Sequence, residues 1–418
     1  MKNLLFGQHD GVKLPGFTVL EFNISICYCC HGLISRDFPN FLNRMVKCFS
    51  RLYYSFLRIL LHLPRINYFM KQRVYTLDYL RGGAAMLILI YHYLIFEGLE
   101  FDGESFIRRM GYYGVTIFYI LSGLTLFYVY KEKLTLEKNG LKAFFIKRAA
   151  RILPLLWLVS LKSIIFSSNT PNYFDIFLNL SGLFGFFKWD TYFATGAWSI
   201  GNELVFYAFF PFLLIAARKK NMLFWYIGAV ILFISLYFSF YVLPDSMKQD
   251  TIFWRNYVNP LNQLIYFYSG IAIGRLFSMN KSISKASLWT VLIVSMLVFI
   301  CYPTGANDAL LVIKGNRYVF FIACWLIVAS IYLIKANTNL FFHRPLLFLG
   351  EISYGIYLFH PIIYSLFKKS LDIFHISLPL YSFISLSAIL SIVISYLSYR
   401  FFETKCVKIA NRYLISCK

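Results

Sequence analysis

Apolar residues recur along the chain in runs close to the length that carries a helix across a ~30 Å hydrocarbon core, each bounded by charged or turn residues. From about residue 75 the pattern predicts ten helices. They cover 80–98, 112–130, 148–166, 203–217 and 222–243 in the first half, then 261–278, 287–302, 317–334, 353–368 and 380–400. The expected fold class is all-α, a polytopic membrane bundle of about ten transmembrane helices with both ends on one side. Residues 1–69 break the pattern. They are mixed and basic, and they lack the short apolar core and small-residue cleavage site of an export signal. Arg44, Arg51, Arg58 and Arg65 recur every seven residues beside Phe49, Leu52, Tyr53, Phe56, Leu57, Leu60 and Leu61. That spacing suits a helix lying on the inner leaflet. The alternative is that this extension is not translated and the natural start is Met70, since Met70 to Asp78 already reads as a lead into the first span. The division expected is therefore a basic extension, 1–69, and a membrane domain, 70–418.

Composition agrees with the pattern. Apolar residues make up 59% of the chain and charged residues only 14%, against about 25% charged in a soluble domain. The net charge of +22 reads as membrane topology rather than nucleic-acid binding. Lys131, Lys133, Lys138, Lys142, Lys147, Arg148, Arg151, Arg218 and the basic tail lie on the even-numbered side, which holds twice the cations of the odd-numbered connections. Arg108, Arg109, Lys188, Arg255 and Arg317 belong to the second set. The bias places both termini in the cytoplasm, with the protein crossing the membrane many times and membrane lipids as partners. The group Cys27, Cys29, Cys30 and His31 lacks a second ligand pair, so no metal site is expected, and the other cysteines read as small hydrophobes.

Ionisable groups inside a bilayer cost about 2.5–3.5 kcal/mol each on insertion scales, which makes the few that remain candidates for function. Here they are His92 and His360 within spans, and Asp78 and Glu203 at helix edges. Arg81 and His92 lie eleven residues apart, which on a helix returns to within ~20° of one face after ~16 Å of rise. Arg81 would then sit at the cytoplasmic mouth and His92 near the midplane or past it.

With these residues in view, the sequence resembles the bacterial acyltransferase-3 family of membrane proteins, whose first helix carries an arginine and a histidine spaced as Arg81 and His92 are. Leu77, Asp78, Tyr79, Leu80, Arg81 and Gly82 are similar to the family's opening. Gly111, Gly114, Val115, Phe118, Ser122 and Gly123 are similar to its second-helix signature, and Arg148, Arg151 and Pro154 to its paired arginines. Trp198, Ser199, Glu203, Phe206, Tyr207 and Pro211 match a further block, as do Ser353, Tyr354, Tyr357, Leu358, His360 and Pro361. Phe402 and Glu403 resemble the closing element, although Thr404 and Lys405 stand where a proline is usual. The resemblance runs from about Met70 to Glu403, which makes 70–418 an acyltransferase-3-like membrane domain. The additional hydrolase-like domain of some members does not follow, so transfer is expected to be completed within the membrane domain or by a partner.

The resemblance implies an O-acyltransferase of the surface-polysaccharide O-acetyltransferase type. It implies acetyl-CoA or another acyl-CoA as cytoplasmic donor, a surface glycan or its lipid-linked precursor as acceptor, and no permanently bound cofactor. Guanidinium forks suit phosphates, so Arg81, Arg148 and Arg151 are assigned to the donor. Attack by an alcohol on a thioester needs a base near neutral pH, and His92 is the choice. Glu203 would orient His92 or hold the sugar, or else be a water-facing carboxylate favoured at a helix start. His360, followed by Pro361, serves chemistry or a broken helix turn. Ser122 is an acyl-accepting nucleophile or an interhelical contact. Asp78, Trp198, Ser199, Ser353 and Tyr354 are supporting candidates. Two rival readings remain, a transporter or exporter of an anionic or glycan substrate, and a non-catalytic scaffold in which these positions are freely replaceable.

Overall fold

The computed structural model describes residues 73–165, 171–218, 222–277, 283–334 and 341–416. The arginine repeat and cysteine cluster of the first 69 residues lie outside the described residues. Two compact units are distinguished. Of the first, residues 1–71 with Phe341–Pro345, only the last five are described, and the long ninth helix begins there at His343. The second, Gln72–Leu340 with Leu346–Lys418, holds the membrane helices.

The structure is 83% helical, with no strand among the described residues. Each of the ten segments read from the apolar pattern is a helix. They are α1 Tyr75–Phe96, α2 Phe106–Tyr130, α3 Lys138–Ile165, α4 Ala197–Arg218, α5 Leu223–Tyr237, α6 Pro260–Phe277, α7 Lys285–Cys301, α8 Lys314–Leu333, α9 His343–Ile373 and α10 Leu380–Ser398. Seven are long and apolar enough to cross a membrane: α1, α2, α4, α5 with its continuation to Ser246, α8, α9, and α10 with its continuation to Ser416. The other three differ in composition or length. Helix α7 has 17 residues, α3 carries six Lys or Arg residues from Lys138 to Lys162, and α6 opens on Asn262 and Gln263. Several helices start earlier than the apolar pattern does, α3 by ten residues and α9 by the same amount. Hydropathy marks only the part that lipid or core must bury, whereas backbone hydrogen bonding continues into polar turns.

Where apolar side chains have no preference between lipid and one another, close backbone approach selects the neighbours. Helices α2 and α6 meet at Gly123 and Gly270. A Cβ on Gly123 would stand 2.0 Å from Phe267 O, and one on Gly270 2.0 Å from Ile120 O. Helices α1 and α9 run parallel, with Gly350 so close that its Cβ would lie 2.3 Å from Asp78 O. That contact fixes the level of everything further along both helices.

Two cations counted above as loop charges turn out to be structural. Arg109 is fully buried, and its guanidinium donates to the carbonyls of Phe299 at 3.0 Å, Ile300 at 2.5 Å and Tyr302 at 2.8 Å. It thus satisfies the last turn of α7, whose carbonyls have no partner within the helix. Arg317, 2% exposed, donates to Tyr266 OH at 3.0 Å and to Asn262 Oδ1 and O at 2.5 and 2.7 Å, tying α8 to the start of α6.

Candidate active site

Five of these helices, α1, α2, α3, α4 and α9, enclose a cavity with about 870 Å³ of empty space, part of it continuous with the exterior. Its wall carries Arg81, Ser122, Arg148, Arg151, Ser199, Glu203, Ser353 and Tyr354. Eight residues singled out in the sequence, scattered over more than 270 positions, therefore share one space. Arg81 is held from two sides, donating to Asp78 Oδ1 at 3.0 Å and to Thr125 Oγ1 at 3.3 Å. Asp78 in turn accepts from Arg73 Nε at 2.7 Å, and Arg73 also reaches Glu351 at 2.9 Å. Asp78 thus acts on the cavity through Arg81. Arg148 lies with its guanidinium 5.7 Å from the Tyr130 ring centroid, and its Nε is buried without a hydrogen-bond partner. A buried guanidinium donor left unsatisfied, on a wall with two further arginines, is the donor set an anion needs.

Glu203 is the acidic counterpart on that wall. Its carboxylate accepts from Ser122 Oγ at 2.8 Å and from Tyr207 OH, partners on α2 and on its own helix rather than His92, and it stands in the second turn of α4 rather than at its start. It bridges α2 and α4 in the middle of the bundle. Ser122 makes the interhelical contact that its small neighbours suggested, and it does so from the cavity wall.

His92 has a different partner. His360 Nε2 stands 3.1 Å from His92 Nδ1, with the ring centroids 4.9 Å apart. Each ring also places Nδ1 3.0 Å from a carbonyl one turn earlier, Ile88 O for His92 and Ile356 O for His360. A carbonyl only accepts, so both Nδ1 atoms carry the proton. His360 Nε2 is then a lone pair accepting from His92 Nδ1–H, which leaves His92 Nε2 as the basic nitrogen of the dyad. His360 is 2% exposed. Helix α9 continues through Pro361 to Ile373, but Pro361 has no N–H to give to Tyr357 O, and His360 lies within bonding reach of that carbonyl, so it supports this turn as well as pairing with His92.

The dyad lies beyond one end of the cavity. Tyr357, on the wall, is one helical turn before His360, with ring centroids 6.1 Å apart. Tyr357 OH is 2.8 Å from Ser199 Oγ and donates to Gly196 O at 3.0 Å. Ser353 donates to Gly350 O and Tyr354 to Ile152 O. Besides the two histidines and Asp78, Trp198 is the remaining candidate outside the cavity wall. It packs edge-on against Tyr119 and Trp254. Tyr119 and Thr125 belong to the wall and were not singled out above. Both lie on α2 within one turn of Ser122, so the block around that serine was the signal.

A family profile described as an acyltransferase domain, that of the acyltransferase-3 family, matches residues 74–400. The chain belongs to this family. It is a multi-pass membrane protein. It is 25% identical over 376 residues to "Peptidoglycan O-acetyltransferase" of Listeria monocytogenes, covering 82% of this chain and 57% of that one. Against "Putative peptidoglycan O-acetyltransferase" of Bacillus subtilis (strain 168), identity is 25% over 369 residues, 78% of this chain and 54% of the other. A "Putative acetyltransferase" of the Acidianus two-tailed virus is 25% identical over 289 residues, 67% of this chain and 80% of its own length. This acyltransferase-3 chain spans somewhat more than half the length of the two peptidoglycan relatives.

Proposed function

We propose that this acyltransferase moves an acetyl group from acetyl-CoA, entering from the cytoplasm, to a hydroxyl of an extracytoplasmic glycan or its lipid-linked precursor. One observation carries the reading: three arginines gather on the wall of a cavity whose other end stops one helical turn short of a histidine pair with a free basic nitrogen. Arg81, Arg148 and Arg151 hold the phosphates of the donor, whose arm extends along α1 towards the dyad. His92 Nε2 takes the proton of the acceptor hydroxyl as its oxygen attacks the thioester carbonyl. The carbon–sulfur bond breaks, and the imidazolium returns the proton to the departing thiolate. Positioned proton transfer of this kind contributes about 10²–10⁴-fold. His360 positions His92, while Glu203 holds Ser122 and Tyr207 at the cavity wall. The relatives' names support the acetyl group and the glycan acceptor. The basic bias of the even connections supports an inner-membrane chain with cytoplasmic termini.

The test is transfer of radiolabelled acetyl from acetyl-CoA to extracted surface glycan by membranes carrying the protein or its His92→Ala form. Label reaching the glycan with the parent alone is the expected result. Equal transfer by both overturns the role of His92, and neither transfer nor binding of coenzyme A overturns the donor.

A further inference from the structure

We infer that Phe118 and Tyr357 form a stop that limits the acyl group to two carbons. The inference rests on the acyl-CoA reading above and adds what selects the acyl chain. Both side chains line the cavity, Tyr357 on the turn of α9 that precedes His360 and Phe118 across from it on α2. Their rings meet edge-to-face, with centroids 6.1 Å apart and planes at 68°.

The Tyr357 ring has little room to move aside. Tyr357 is 7% exposed, and its hydroxyl is held by α4 through Ser199 Oγ at 2.8 Å and by Gly196 O at 3.0 Å. Gly196 adopts a φ of +82°, and a Cβ there would lie 3.1 Å from Tyr357 OH. A backbone that favours glycine thus brings the carbonyl onto the phenol from outside the helix bundle's own register. Phe118 stands on α2 one turn from Ser122, which Glu203 fixes at 2.8 Å.

The stop lies where the acyl tail must go. For His92 to activate an acceptor against it, the thioester carbonyl has to come up beside Tyr357, one turn before His360, which sets the acyl tail against the two rings. The methyl of an acetyl group is the least that can project against the two rings. Each further methylene must displace a ring or pull the carbonyl back towards the arginines, and packed interiors resist both. A single methylene in such a pocket discriminates by about 10–200-fold.

The experiment compares initial rates from acetyl-, propionyl- and butyryl-CoA with one acceptor glycan, using the full chain in proteoliposomes. The parent is expected to favour acetyl over butyryl by about a hundredfold or more, two methylenes at the lower limit. Phe118→Ala is expected to bring that ratio to within about tenfold. Tyr357→Phe, which keeps the ring but releases it from Ser199 and Gly196, is expected to fall between them. The ratio is taken within each variant, so a lower folded fraction cancels. If Phe118→Ala transfers nothing, Phe118→Leu carries the same expectation. A parent that uses butyryl-CoA as readily as acetyl-CoA overturns the inference, as does a shortened Phe118 variant that retains the parental ratio. A parent that transfers from none of the three donors overturns the donor reading itself, and the stop with it.

Discussion

Replacing His360 separates the base of the dyad from its support. His92 Nδ1–H is shared between Ile88 O at 3.0 Å and His360 Nε2 at 3.1 Å, so losing His360 removes one of two acceptors and leaves the tautomer in place. A neutral hydrogen bond contributes about 0.5–1.5 kcal/mol, and about 1.4 kcal/mol is tenfold in rate. His360→Leu is therefore expected to lower kcat by up to about tenfold, whereas His92→Ala removes the base and about 10²–10⁴-fold. His360→Gln, which offers a carbonyl to the same N–H, should recover most of the loss. The KM for acetyl-CoA should stay level in both His360 variants, because the arginines are untouched. Initial rates of labelled acetyl transfer in proteoliposomes, at several donor concentrations, measure these quantities. A His360→Leu rate as low as that of His92→Ala would make His360 the base and refute the tautomer argument. An unchanged rate would show that the 3.1 Å contact has no part in catalysis.

Two further expectations come from the ends of the molecule. Arg148→Ala and Arg151→Ala should each weaken coenzyme A binding about 10–100-fold in isothermal titration, the equivalent of one charge-assisted hydrogen bond; unchanged affinity in both would remove the arginines from the donor site. Glu104 lies between α1 and α2, and the backbone N–H groups of Gly305 at 2.5 Å and Thr304 at 2.8 Å, between α7 and α8, hold its carboxyl below the usual carboxylate range. A depressed folded value contributes stability above the unfolded pKa of about 4.3, and that contribution is lost as pH falls through the folded value. Thermal unfolding in detergent should thus decline on the acid side in the parent and more shallowly in Glu104→Gln, and parallel profiles would contradict this.

The helices and the cavity wall were legible in the sequence for one reason. Ionisable and small residues are costly or uninformative in lipid, so those at Arg81, Gly82, Ser122, Gly123 and Glu203 stood out against an apolar background. Their pairing was not legible. His92 and His360 are 268 residues apart, and no local pattern links them, so Glu203 was considered as the partner of His92. The buried arginines were misread for a different reason. Counting cations by side treats each as solvated, yet Arg109 and Arg317 each occupy the first turn of a helix, where a cation opposes the dipole. That unfavourable position was the available sign that their guanidinium groups were satisfied elsewhere.

The spacing of the two ends also constrains the donor. Arg81 and His92 lie on one unbroken helix, Tyr75–Phe96, and eleven residues at 1.5 Å each separate them by about 16 Å. Helix α9 runs parallel and repeats the order, with Tyr354 and Tyr357 at the cavity and His360 beyond it. Helix α2 runs the other way and lines the cavity from Thr125 through Ser122 and Phe118 to Val115. Rigid helices rather than loops therefore set the gap between anion and base, so closing it would require breaking α1 itself, which is packed so closely on α9 that a Cβ on Gly82 would stand 2.7 Å from Gly350 N. A donor has to span that gap, with phosphate at one end and the acyl group at the other. Acetyl phosphate carries the same acyl group but joins it directly to phosphate, so its carbonyl stays near the arginines. It is expected to support no transfer at concentrations that displace coenzyme A from the cavity. Transfer from acetyl phosphate through His92, abolished in His92→Ala, would mean that the two ends come together during the reaction and that the fixed spacing has been misjudged.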